Sequence, residues 1–261
     1  MGAWTRLPGF LISLLCLSPA VADDNRPYRA IPAVIGARVA PSDDLLAAAQ
    51  KILTVATAHD VAGIGAMLIE RPLMVSSGLT VGGERRTTAN GPWSDAASAL
   101  ADIGAYYQEG DIVASGRSID FTELYVGNTL GVIVQSLAEP DWGRDPLVAD
   151  AVCTYRGAHW KAADGRRTGS AESRGFWVER ATPARRSGDP DSAVLATLRP
   201  GRLYLEGFLD DLPEEMRGIR LSAGGVGAVE MSALRDATQW GICLRKIGSD
   251  WRIVAFSTAL L

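Results

Sequence analysis

The sequence predicts an α+β protein with a mainly helical N-terminal half, then a small β-barrel, then a C-terminal β-hairpin. Three observations predict it. From Ser42 to Leu137, apolar residues recur at helical spacing behind capping residues. From Phe176 to Arg235, short apolar runs alternate with Gly and Pro turns and show no helical period. Beyond them, Gly241–Lys246 and Trp251–Phe256 flank Gly248-Ser249-Asp250, a hairpin signal.

Residues 1–22 read as an export signal peptide. Arg6 supplies the positive start, Phe10 to Leu17 a short apolar core, and Ala20-Val21-Ala22 a cleavage site before Asp23. The apolar core is too short to span a bilayer. Leu14 and Leu15 precede Cys16 where a lipidated cysteine wants a small residue, so no lipid anchor is expected. Cleavage after Ala22 implies a periplasmic or secreted chain, and losing Arg6 takes the formal charge from −4 to −5. Residues 23–41 hold Pro27, Pro32 and Pro41 without a period, which predicts an extended arm or tether.

Residues 42–174 are expected to form the mainly helical region. Ser42 is positioned as a cap, Asp43 and Asp44 suit the first turn, and Leu45, Ala49, Ile52 and Ala56 share one face of a helix ending near Ala58. His59 follows, and Asp60 caps a second helix to about Glu70, weakened by Gly63 and Gly65. Met74 to Gly83 reads as a strand or buried loop, and Asn90-Gly91-Pro92 as a break. Trp93–Tyr107 returns to helix, with Ala96, Leu100, Ile103 and Tyr107 on one face. Asp120 caps another, Phe121–Leu137, where Gly127 and Gly131 predict close packing against a neighbouring helix. Glu139–Gly175 carries Trp142, Cys153, Tyr155, His159 and Trp160, then a polar run, 162–174, expected to be an exposed loop.

Export changes the meaning of the cysteines. With Cys16 removed, Cys153 and Cys243 remain as a pair in an oxidising compartment, and a disulfide is expected between them. It closes a loop of roughly 90 residues, which chain entropy values at about 4.5 kcal/mol. Two buried free thiols are the alternative.

In residues 175–235, Ala193–Leu198 is a half-apolar run, Arg199-Pro200-Gly201 a turn, and Leu203-Tyr204-Leu205 a restart. Met216–Leu221 alternates with period two, and Gly224–Gly227 turns the chain into Ala228-Val229-Glu230. At these residues the chain resembles the bacterial SH3-like (SH3b) domain. That family has an Arg in a first loop, a strand of the form V-I-G-x-L, a Gly turn, then W-x-x-V-x-x-x-x-G-x-x-G-W-V and a closing Leu. Arg185 falls on the loop Arg, Val194 to Leu198 on the strand and Gly201 on the turn. Ile219, Gly224, Gly227, Val229 and Leu234 fall on the remaining framework, with a longer loop at Asp210 to Glu215. The family's two Trp positions are Met216 and Ala228 here, which removes most of its aromatic binding surface. With the C-terminal hairpin, residues 236–261, the whole order resembles exported bacterial proteins that carry such a domain.

The resemblance implies a binding or scaffold module, with a groove near Arg185, Tyr204 and Phe208 for a peptidoglycan peptide or glycan, or for a periplasmic protein. Arg185 is the preferred contact because a guanidinium holds a carboxylate in two bonds. A salt bridge to Asp189 or Asp191, and packing roles for both aromatics, are the plainer alternatives. A chain of 261 residues that is 47% hydrophobic can bury a core without metal. Lysine occurs only at Lys51, Lys161 and Lys246, so no basic stripe forms and nucleic acid is not an expected partner. The only histidines, His59 and His159, stand far apart, and no metal motif or nucleophile elbow is present. Asp210, Asp211, Glu214 and Glu215 read as a solvated acidic loop rather than a cation site. No catalytic residue, metal or cofactor is therefore expected. A cell-wall hydrolase with its catalytic half in 42–160 is one alternative, and would need a cavity bringing acids or His159 together. A purely structural subunit is the other.

Overall fold

The structure is a computed structural model that describes residues 27–76, 85–89, 91–107, 120–160, 174–237 and 239–258. The expected signal peptide, with Cys16, and the polar run at 162–173 lie outside these residues. Its helices are α1 (Asp43–Thr57), α2 (Val61–Met67), α3 (Ala96–Gly104) and α4 (Phe121–Ala138). The strands begin with β1 (Ile31–Ile35), β2 (Leu68–Ser76), β3 (Arg85–Thr88), β4 (Val152–Cys153) and β5 (Ala158–Trp160). They continue with β6 (Gly175–Val178), β7 (Thr182–Arg185), β8 (Val194–Leu198) and β9 (Arg202–Leu205). The last are β10 (Met216–Arg220), β11 (Val226–Glu230), β12 (Leu234–Asp236), β13 (Gly241–Ile247) and β14 (Asp250–Thr258). The class is α+β.

The helices lie on one sheet, ordered β3-β2-β14-β13-β4. Leu45, Ile52, Ile64, Leu100, Ile103, Leu130 and Ile133 from the helices meet Ile242, Leu244, Ile253 and Phe256 from β13 and β14 in one core. On α1 the buried residues are Leu45, Ala49, Ile52 and Ala56, the face that the spacing predicts. β14 is the central strand, and Ile253–Thr258 is buried without alternation because it is covered on both faces. Its pairing with β2 is parallel. Ile247 pairs with Asp250 across a two-residue loop, where Gly248 takes φ +63°. A smaller cluster of Val75, Val148, Tyr155, Val254 and the two cysteines packs beside this sheet.

Strands of the second half form two further sheets, β12-β6-β9-β1-β5 and β10-β11-β7-β8, the second curling as a half-barrel. Phe176, Val178, Ala184, Leu198, Tyr204, Ile219, Val229 and Leu234 share their core. Gly201 turns β8 into β9 at φ +71°, a conformation that penalises a side chain.

Four expectations change. Of the extended arm or tether expected at 23–41, the described part holds an extended strand that is not free, because β1 inserts between β5 and β9 in their sheet. Ser42 stands at the N-cap of α1, but its hydroxyl donates to Asp44 and not to the helix backbone. The second helix stops at Met67 instead of Glu70, since Leu68 leaves the helical region and begins β2, which runs through Pro72. Gly127 and Gly131 touch no neighbouring helix, and a Cβ on either would enter open space. The close approach occurs at Gly104 of α3, where a Cβ would lie 1.8 Å from the Tyr125 carbonyl oxygen.

Candidate functional site

Arg185 lines a cavity of about 320 Å³ on the half-barrel. β7 brings in Pro183 and Arg185, β10 brings Met216, and β11 brings Ala228 and Glu230. Arg180, Pro190 and Glu215 complete its charged and apolar walls. Met216 and Ala228 are the two positions where the family resemblance expects Trp, so small or flexible side chains stand where rings would fill space. Nη1 of Arg185 donates to the Ser192 carbonyl at 2.9 Å, which holds the guanidinium in the turn after β7. The expected alternative, a salt bridge to Asp189 or Asp191, is absent. Among the described residues neither Arg180 nor Arg185 forms an ion pair, although Glu215 and Glu230 lie on the same lining.

Tyr204 and Phe208 do not join Arg185 in one groove. Tyr204 is buried, and its hydroxyl donates to the Arg199 carbonyl at 3.1 Å and accepts from the Arg199 N–H at 2.6 Å. It pins the β8–β9 turn and borders a separate cavity of about 240 Å³ with Tyr28, Arg202 and Arg220. Phe208 is 75% exposed and lies on neither lining.

A second constellation was not foreseen. Asp145 is buried and accepts from the Tyr155 hydroxyl at 2.7 Å and from the Leu147 N–H at 2.8 Å, with His159 Nε2 at 2.7 Å. Burial alone raises a carboxyl, but the hydrogen bonds and charge of His159, then the Tyr155 and Leu147 bonds, outweigh it and lower Asp145 below its ordinary value. Burial, then the Asp145 charge, pushes the Tyr155 phenol well above its own. Asp145 and His159 border a space of only about 10 Å³, which is roughly the room of one water. No sugar or peptide enters it. The arrangement therefore braces β5 against the segment before β4. Cys153 has no thiol to offer chemistry, since it bonds to Cys243 across the β4–β13 pairing.

Asp211 takes φ +57° in the loop before β10, and no group of three or more potential metal ligands occurs among the described residues. No helix among the described residues is long and apolar enough to cross a membrane. Comparison with protein-family models, curated proteins and solved structures found no match.

Asp145 carries no sequence signal because its side-chain partners, Tyr155 and His159, stand ten and fourteen residues away. Arg180, Glu215 and Glu230 were equally hidden, since only the β7–β11 pairing collects them around Arg185.

Proposed function

We propose that this chain is an exported binding module with an SH3-like domain, and that its half-barrel cavity takes a short peptide bearing a free carboxylate. The observation that carries the reading is a guanidinium, Arg185, held by a backbone carbonyl on an otherwise open cavity of about 320 Å³. That volume lies within the range of small-ligand sites. An Arg carries five N–H donors, and one is used here, so a bidentate contact to a carboxylate is available. Glu215 and Glu230 on the same lining suit an ammonium group, while Met216, Pro183 and Pro190 supply the apolar wall. Peptidoglycan stems offer carboxylates and amines close together, which makes them the favoured ligand.

The SH3-like reading is supported by position. The loop Arg falls at the end of β7, the short strand on β8, the Gly turn between β8 and β9, and the later framework on β10, β11 and β12 and, for Gly224, in the turn between β10 and β11.

The test is a pull-down of the purified protein with isolated peptidoglycan sacculi, beside Arg185→Ala. Retention of the wild type and loss of at least tenfold in the variant are expected, about 1.4 kcal/mol or more. Equal retention of both proteins would remove Arg185 from the site. Retention of neither would overturn the wall-binding reading.

A further inference from the structure

We propose that a second cleft, between the last turn of α4 and the chain leading into β13, binds a saccharide carrying acetamido groups. Its volume is about 610 Å³, within the range of small-ligand sites. Gln135, Glu139 and Asp141 border it from α4 and beyond, Thr154 from the segment after β4, and Gln239 and Trp240 from the far side.

The lining selects by chemistry. It contains no Leu, Ile, Val, Met or Phe side chain, so its apolar contact comes from the Tyr155 and Trp240 rings and the rest is polar. Its charged groups are Glu139, Asp141 and Asp236 against Arg174, and Arg174 is engaged with Asp236 at 2.9 Å, so an anion is disfavoured. Asp141 is also balanced, by Arg38 at 3.1 Å. What remains is a neutral set of amides and hydroxyls with one carboxylate, Glu139, that forms no ion pair among the described residues.

Trp240 adds the aromatic plane. It is 37% exposed, and its ring meets Tyr107 edge to face, with centroids 5.8 Å apart and planes at 76°. Tyr107 is itself fixed, since its buried hydroxyl donates to the Ser257 carbonyl at 3.0 Å. A pyranose has C–H groups on its flat face and hydroxyls around its rim. It therefore matches a fixed ring beside amide and carboxylate acceptors. The carboxamides of Gln135 and Gln239 complement the N–H and C=O of an acetamido substituent in the same way that two amides pair.

This cleft lies apart from the Arg185 cavity and shares no lining residue with it. The two readings fail separately: the sugar titration uses a ligand without a carboxylate for Arg185, and the sacculi pull-down of Arg185→Ala is read in a Trp240→Ala background, which removes retention through this cleft.

The experiment follows the indole N–H resonance of Trp240, assigned with Trp240→Phe, while the purified protein is titrated with the β-1,4-linked tetramer of N-acetylglucosamine. A saturable shift is expected, and in isothermal titration calorimetry with the same tetramer Gln135→Ala and Trp240→Ala should each weaken binding about tenfold. Gln135 is an exposed residue of α4, so its variant keeps the fold. No shift with the tetramer would overturn the proposal. So would a shift produced by spermidine alone, which would mark a cation site, or unchanged affinity in both variants.

Discussion

Asp145 shows how much one side chain can hold when its partners come from three places. It accepts from Tyr155 and the Leu147 backbone and pairs with His159, all under cover of the protein. Asp145→Asn keeps the shape but weakens the contact to His159 and gives the Tyr155 hydroxyl a poorer acceptor. A loss of about 3 kcal/mol in denaturant unfolding is expected. The pH dependence has a definite sign. Because the folded carboxyl is lowered, its contribution is fully present above the unfolded value of about 3.9 and is lost as pH falls through the folded value. Wild-type stability should therefore drop more steeply below about pH 4 than that of Asp145→Asn. Parallel acid titrations of the two proteins would refute this if their slopes coincided.

At the scale of elements, three glycines in the α3–α4 pair make opposite predictions. Gly104 closes α3 against α4, where Thr129 also donates to the Leu100 carbonyl at 2.7 Å. Gly104→Ala would drive a methyl group into the Tyr125 carbonyl, and a loss of about 3 kcal/mol or a shifted helix is expected. Gly127 and Gly131 face open space on α4, so Gly127→Ala and Gly131→Ala should each raise stability by about 0.5–1 kcal/mol. Thermal unfolding of the three variants decides it. If Gly127→Ala lost stability, that face of α4 would be packed after all. The spacing of Gly127 and Gly131 was legible in the sequence, but spacing does not say which face of a helix meets its neighbour.

At the scale of the molecule, two devices tie the halves together. The Cys153–Cys243 bridge joins β4 to β13, with a sequence separation of 90 residues. Cys153→Ala with Cys243→Ala should cost about 2–5 kcal/mol, and reduction of the wild type should match that loss. A double variant as stable as the oxidised protein would deny the bridge a structural role. The second device is ionic and cation–π. Glu179, after β6, pairs with Arg38, Arg156 and Arg235, and Arg156 also sits 4.8 Å from the centroid of buried Trp177. With β1 and β5 in the same sheet as β6, β9 and β12, strands from before and after residue 174 share backbone pairing as well as side chains.

The sequence by itself determined whatever depends on neighbours along the chain. The caps at Asp60 and Asp120, the buried face of α1, the turn at Gly201 and the hairpin around Gly248 follow from local periodicity and local φ preference. The cysteine pairing was also within reach, because only two candidates remain once the expected signal peptide is removed. Only the tertiary structure decided that residues 31–35 form an inner strand, that Tyr204 is spent on its own turn, and that Asp145 meets His159. It alone placed Gln135 and Trp240 on one cleft, and Glu230 and Arg185 on another. The physical reason is the same in each case. Strand partners and cleft walls are chosen by burial across long separations, and a two-residue strand such as β4 carries too little periodicity to announce its partner.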